Sequence, residues 1–140
     1  MTIHLIGSRS YLGKAIINIS DRVKIHPWTQ SSLDPLHHFD LFDSSSWDSL
    51  LNSKPNTVIL LPWPGLPHYN ESFHLSRNLP AYIKLVSSLI NSGCQNIICV
   101  GTCYEYGNLT GCLSETLPSA PLNLYALAKD TFPPFTTNSM

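Results

Sequence analysis

Five short apolar runs, separated by intervals long enough to hold a helix, limit this chain's fold more than any other feature of its sequence. Residues 3–6 form the first run, closed by Gly7, and residues 12–19 then read as a helix carrying Ala15, Ile16 and Ile19. The second covers 23–25 and stops at Pro27; a weaker third covers 39–42, followed by the cap residues Ser44, Ser45 and Ser46 and a short helix through Trp47, Leu50 and Leu51. Residues 57–61 are a continuous β-branched and aliphatic stretch, as in a strand buried on both faces, and end at Pro62. Across 76–92, Leu79, Tyr82, Ile83, Val86, Leu89 and Ile90 fall at helical spacing, with Gly93 as the stop. The fifth run is 96–100, and a last helix begins near Leu124. Strands alternating with crossover helices predict a doubly wound parallel α/β sheet of about five strands, in the order 3-2-1-4-5.

At 140 residues and 43% hydrophobic composition, the chain has the size and the apolar content of one domain. Charged residues are only 12% and the net charge is −1, which argues against nucleic acid or an acidic membrane surface as partner. The opening residues lack a basic region, and their apolar run is too short for a signal peptide or a membrane span, so a cytoplasmic location is expected. Cys94, Cys99, Cys103 and Cys112 lack the spacing of a zinc ribbon or redox dithiol and read as reduced, mostly buried thiols. The adjacent His37 and His38 point different ways on any regular element, so the histidines read as surface or loop residues and no metal is expected.

The turn after the first run reads Gly7-Ser8-Arg9-Ser10-Tyr11-Leu12-Gly13. Its logic is a tight turn at Gly7, close helix-to-strand packing at Gly13, and an anion resting against amides at the helix N-terminus. Farther on come Asp40-Leu41-Phe42-Asp43, then Asn78, then Gly101-Thr102-Cys103-Tyr104-Glu105-Tyr106-Gly107, and last Tyr125-Ala126-Leu127-Ala128-Lys129 preceded by Glu115 and Pro121. Taken in this order, the segments resemble the GxxGxxG loop, the Asp-aliphatic-x-Asp turn, the fifth-strand segment ending in Tyr-Gly and the Tyr-x-x-x-Lys element of extended short-chain dehydrogenases/reductases, the superfamily of the NAD-dependent epimerases and dehydratases. Ser10 replaces the middle glycine of the loop.

The resemblance implies a Rossmann-like domain over residues 1–132 that transfers hydride between a nicotinamide cofactor and a nucleotide sugar. Gly7, Arg9, Ser10, Tyr11, Leu12 and Gly13 would hold the cofactor's phosphates, and Asp40 and Leu41 would meet the adenine edge. Tyr125 would move the substrate's hydroxyl proton, Thr102 would hydrogen-bond the same oxygen, and Lys129 would hold the nicotinamide ribose. Residues four apart share a helix face, so the Lys129 ammonium is expected to lower the Tyr125 phenol toward neutrality. The related 4,6-dehydratases carry Asp-Glu directly after the threonine; Cys103 and Tyr104 stand there in this chain, which disfavours dehydration and leaves 4-epimerase and ketosugar reductase open. The segment His26-Pro27-Trp28-Thr29-Gln30 lacks the acidic residue that binds an NAD ribose diol, and Arg9 tips the choice between NAD and NADP slightly toward NADP.

Relatives continue the catalytic helix for several turns, whereas Pro133 and Pro134 follow closely on Lys129 in this sequence. Residues 133–140 therefore read as an irregular tail, with the last strands and the substrate-binding domain absent. Two functions stand on this basis. One is an epimerase or reductase that needs self-association or a partner chain; the other is a non-catalytic remnant or cofactor-binding module.

Overall fold

The structure, a computed structural model, describes residues 2–31 and 37–132, so the tail expected at 133–140 lies outside the described residues. The described residues gather into two compact units, one formed by 2–31, 37–62 and 84–100, the other by 63–83 and 101–132.

The first unit is built on a four-stranded, wholly parallel sheet of β1 (Thr2–Ile6), β2 (Lys24–Trp28), β3 (Thr57–Leu60) and β4 (Asn96–Cys99), in the order β2-β1-β3-β4. This is the anticipated order, with an isolated parallel bridge between Thr29 and His38 standing where the third run was expected. That run does not extend into a strand because its backbone groups are used locally. The Asp40 carbonyl accepts from the Trp47 indole N–H at 2.7 Å and from the Ser46 hydroxyl at 3.1 Å, and the Phe42 N–H donates to the Asp40 carboxylate at 2.9 Å.

Pro27 lies inside β2 rather than ending it, opposite Leu5 of β1. Along β2 the Trp28 carbonyl turns to the β1 side, where it accepts from Gly7, while the Thr29 N–H turns outward to His37. Position 27 shares the parity of 29, so the amide that proline lacks is one that β1 never needed.

Helix α1 (Tyr11–Ile19) begins at Ser10, whose hydroxyl oxygen accepts from the Gly13 N–H at 3.0 Å. Only Gly13 of this helix is buried, and Ala15 and Ile19 are exposed. A 3-10 turn, Ser44–Trp47, leads into the short α2 (Asp48–Asn52), which buries Trp47 and Leu50. In α3 (Leu79–Asn91) the buried stripe is Leu79, Tyr82, Leu85, Val86 and Leu89. Leu85 is buried while Ile83 and Ile90 are 42% and 37% exposed, because the face of the helix that packs lies somewhat farther round than the apolar pattern pointed.

The second unit contains a π-helical turn (His74–Asn78) running into α3, a 3-10 turn (Cys103–Tyr106) and α4 (Leu124–Thr131). Asn123 caps α4 by accepting from the Ala126 N–H at 2.8 Å. The helix ends at Phe132, whose extended backbone suits the residue before a proline. Trp63, His74, Asn78, Tyr82, Tyr125, Ala126 and Ala128 are buried in this unit. Among the described residues no helix is long and apolar enough to cross a membrane.

Candidate functional site

In the first unit the candidate cofactor loop is fastened to the end of β2. The Trp28 carbonyl accepts from the Gly7 N–H at 3.0 Å and from the Ser8 N–H and hydroxyl at 3.1 Å each. Gly7 adopts φ +85°, a left-handed turn that favours glycine, and directs the chain from β1 into α1. Ser10 has turned its side chain onto the helix start, where its oxygen serves the Gly13 amide. Its hydroxyl hydrogen is the part that can donate to an anion. Tyr11 and Leu12 open the helix and are 92% and 43% exposed. One amide at the helix start, that of Gly13, is thus engaged by Ser10.

Arg9 lies beside an open cleft of about 470 Å³ lined by Ser8, Arg9, Ile17, Pro27, Thr29 and His37. Its guanidinium donates to the Ser31 hydroxyl at 3.1 Å, and the Thr29 hydroxyl lies 3.2 Å from the same oxygen. Thr29 and Ser31 were not singled out in the sequence, although they follow β2 at the point where ribose recognition was sought. Asp40 accepts from the Gln30 side-chain amide at 2.7 Å as well as from the Phe42 N–H, so its carboxylate organises its own loop, while Leu41 is buried.

The same unit holds an aromatic stack absent from the sequence reading. The His4 and His26 rings, paired across β1 and β2, lie 5.0 Å apart and nearly parallel, and His37 stacks on His26 at 5.0 Å. His4 Nδ1 accepts from the Trp28 indole N–H at 3.1 Å. Burial, reinforced by the neighbouring His26, lowers the His4 pKa to about 4. The expectation that the histidines lie on the surface or in loops fails for His4, and for His74 in the second unit, which is wholly buried. The cysteines depart from expectation too: all four are free thiols, but only Cys94 is buried, while Cys103, which opens a 3-10 turn, and Cys112, in a loop, are exposed.

In the second unit the structure brings Thr102 and Tyr125 together. Thr102 caps the 3-10 turn reciprocally with Glu105, whose carboxylate accepts from the Thr102 N–H at 2.9 Å. The Thr102 side chain acts on the Tyr125 phenol, favouring its ionised form. Tyr125 is anchored by its own N–H, which donates to the Tyr69 carbonyl at 2.9 Å, and by ring contacts with Trp63, Tyr69, His74 and Tyr104.

Lys129 lies on the same helix, and its Nζ stands 4.3 Å from the centroid of the Trp63 ring and 5.5 Å from that of Tyr82. The expected lowering of the Tyr125 phenol is not what the structure gives. Its pKa is raised, first by burial; Thr102 pulls the other way, and Tyr69, Glu105 and Cys103 add to the rise. Helical spacing put Tyr125 and Lys129 on one face, but desolvation of the phenol dominates its titration.

Sequence reasoning missed Trp63, Tyr69 and His74. The signal was present: residues 63–74 hold Trp63, Tyr69, Phe73, His68 and His74 just beyond a buried parallel strand, the end of a sheet where such folds bind ligands.

A parallel α/β sheet with a glycine turn into its first helix defines a Rossmann-like fold. The model of the NAD dependent epimerase/dehydratase family matches residues 3–137, and the chain belongs to that family. No curated protein matches it in sequence. Among solved structures it is similar to the Helicobacter pylori ADP-L-glycero-D-manno-heptose-6-epimerase, at 13% identity and a TM-score of 0.73, covering 94% of this chain and 48% of that one. The Thermus thermophilus UDP-glucose 4-epimerase complex with NAD gives 15% identity and 0.73, covering 94% and 48%. RMD from Pseudomonas aeruginosa complexed with NADPH gives 22% and 0.67, covering 91% and 45%. The chain therefore spans about half the length of these structures, and at such identities the likeness establishes the fold.

Proposed function

We propose that this chain is the nucleotide-binding part of an NAD(P)-dependent ketosugar reductase or epimerase that acts on a nucleotide sugar by hydride transfer. The observation that carries the reading is that Tyr125 and Lys129, the pair that the family pattern makes catalytic, both meet the Trp63 ring, with Thr102 acting on the Tyr125 phenol. The nicotinamide, when bound, supplies or accepts the hydride. The chain's own residues do the rest: Gly7 to Gly13 hold the pyrophosphate against the start of α1, Asp40 and Leu41 flank the adenine, Thr102 orients the substrate oxygen, Lys129 holds the nicotinamide ribose and Tyr125 moves the proton. Arg9, with Thr29 and Ser31 beside it, favours the extra phosphate of NADP.

Between the two activities the phenol supplies a preference. A tyrosine whose pKa is raised stays protonated at neutral pH, which suits protonation of the alkoxide formed when a ketone is reduced. An epimerase must also run the oxidative half, for which the phenol must first lose its proton. A 4,6-dehydratase is disfavoured, because Cys103 and Tyr104 stand where elimination of water needs carboxylates.

The test is a fluorescence titration with NADPH and NADH, followed by an assay of NADPH oxidation with 4-keto nucleotide sugars and of epimer exchange with their alcohols. Binding of NADPH and Tyr125-dependent reduction are the expected results. Failure to bind either dinucleotide would sink the reading, and binding without any Tyr125-dependent turnover would leave a cofactor-binding module.

A further inference from the structure

We infer that Trp63 is a positioning residue for Lys129, its indole face acting as the seat of the ammonium. This rests on the reading of Tyr125 and Lys129 as reaction residues. Three observations within the second unit carry it. The Lys129 Nζ lies 4.3 Å from the centroid of the Trp63 ring, within the range of a cation–π contact, and Tyr82 presents a second ring at 5.5 Å. Both rings are buried, at 8% and 2% exposure, so little water competes with the charge for their faces.

The second observation is that the indole cannot rotate freely. Its N–H donates to His74 Nδ1 at 3.0 Å, and the remaining nitrogen of that fully buried imidazole, Nε2, is 2.8 Å from the His68 carbonyl. A carbonyl only accepts, so Nε2 carries the hydrogen and Nδ1 is the acceptor for the indole, which fixes the tautomer of His74 as well as the plane of Trp63. The third is that the same indole meets Tyr125 edge-on, with centroids 6.0 Å apart. One locked ring thus touches both members of the Tyr-x-x-x-Lys pair. α4 is only eight residues long, a length that gives a lysine stem little order of its own, and the aromatic seat supplies the order that the helix lacks.

The experiment uses the full 140-residue chain with its lysines reductively 13C-methylated and observed by NMR, the Lys129 signal being assigned by its loss in Lys129→Arg. A methyl group above an indole face is shifted upfield by the ring current. The shift is expected in the wild type, collapses toward that of a solvent-exposed lysine in Trp63→Leu, and is largely kept in Trp63→Phe, which retains a ring face. Tyr82→Leu, expected to reduce the shift only in part, serves as the second variant should Trp63→Leu fail to fold. NADPH affinity should fall about 2- to 30-fold in Trp63→Leu and by less in Trp63→Phe, the span that a cation–π contact of this kind commands. An unshifted wild-type signal, a shift unchanged in Trp63→Leu, or tighter NADPH binding by that variant would overturn the assignment. Should no variant bind either dinucleotide while the ring-current pattern holds, the proposed function fails and the Lys129 seat stands.

Discussion

Gly13 faces the backbone of Gly7 so closely that a Cβ at position 13 would lie 2.5 Å from the Gly7 carbonyl oxygen and 2.8 Å from the Ser8 carbonyl. These are backbone atoms of the turn itself and cannot swing aside as a flexible side chain would. Gly13→Ala is therefore expected to push α1 off the loop, lowering stability by about 1–3 kcal/mol and weakening dinucleotide binding with it. Thermal unfolding and NADPH titration of the variant check both; an unchanged melting temperature would show that the helix packs differently from the geometry described.

Arg9 offers a second prediction, concerning the choice of cofactor. A guanidinium that engages a 2′-phosphate contributes a charge-assisted hydrogen bond of about 1.5–3 kcal/mol, so Arg9→Gln should weaken NADPH about 10- to 150-fold and leave NADH nearly unaffected. Parallel titrations with the two dinucleotides make the comparison, and equal losses for both would move Arg9 out of the ribose site.

Acid should loosen the first unit. His4 titrates near 4 when folded, against 6.5 ordinarily, because burial and His26 hold it neutral. Between these values the unfolded chain binds the proton and the folded chain does not, so stability rises with pH across that window. This stabilisation is fully present above about 6.5 and is lost as pH falls from there through about 4. Denaturant melts over this range should show the decline, and His4→Gln, which keeps an acceptor for the Trp28 indole, should flatten it. A wild-type profile already flat from pH 7 to 4 would contradict the assignment.

Among the described residues β4 is one of the two outer strands of the sheet, and Ile98 and Val100 are 51% and 36% exposed at or just beyond it. An edge strand bearing exposed apolar side chains invites pairing with another chain. The 140-residue chain on its own is expected to self-associate, and Ile98→Lys should reduce that association without unfolding the sheet. Light scattering across a concentration series reads the outcome, and a monodisperse wild-type monomer would refute it.

The strand and helix positions were legible in the sequence because period and turn chemistry are local: residues 3–6 and 57–61 could be little else than buried strands, and Gly7, Gly93 and Pro62 mark where elements stop. Helical spacing likewise put Tyr125 and Lys129 on one face, and the ordered motifs identified the family. Tertiary structure decided what spacing cannot encode. The third run gave up its ladder bonds to Ser46 and Trp47, contacts six and seven residues away from Asp40. Pro27 proved harmless because its missing amide faces away from β1. Lys129 found Trp63, sixty-six positions earlier in the chain, and Tyr125 became a high-pKa phenol, because burial and packing are set by residues brought together only when the chain folds.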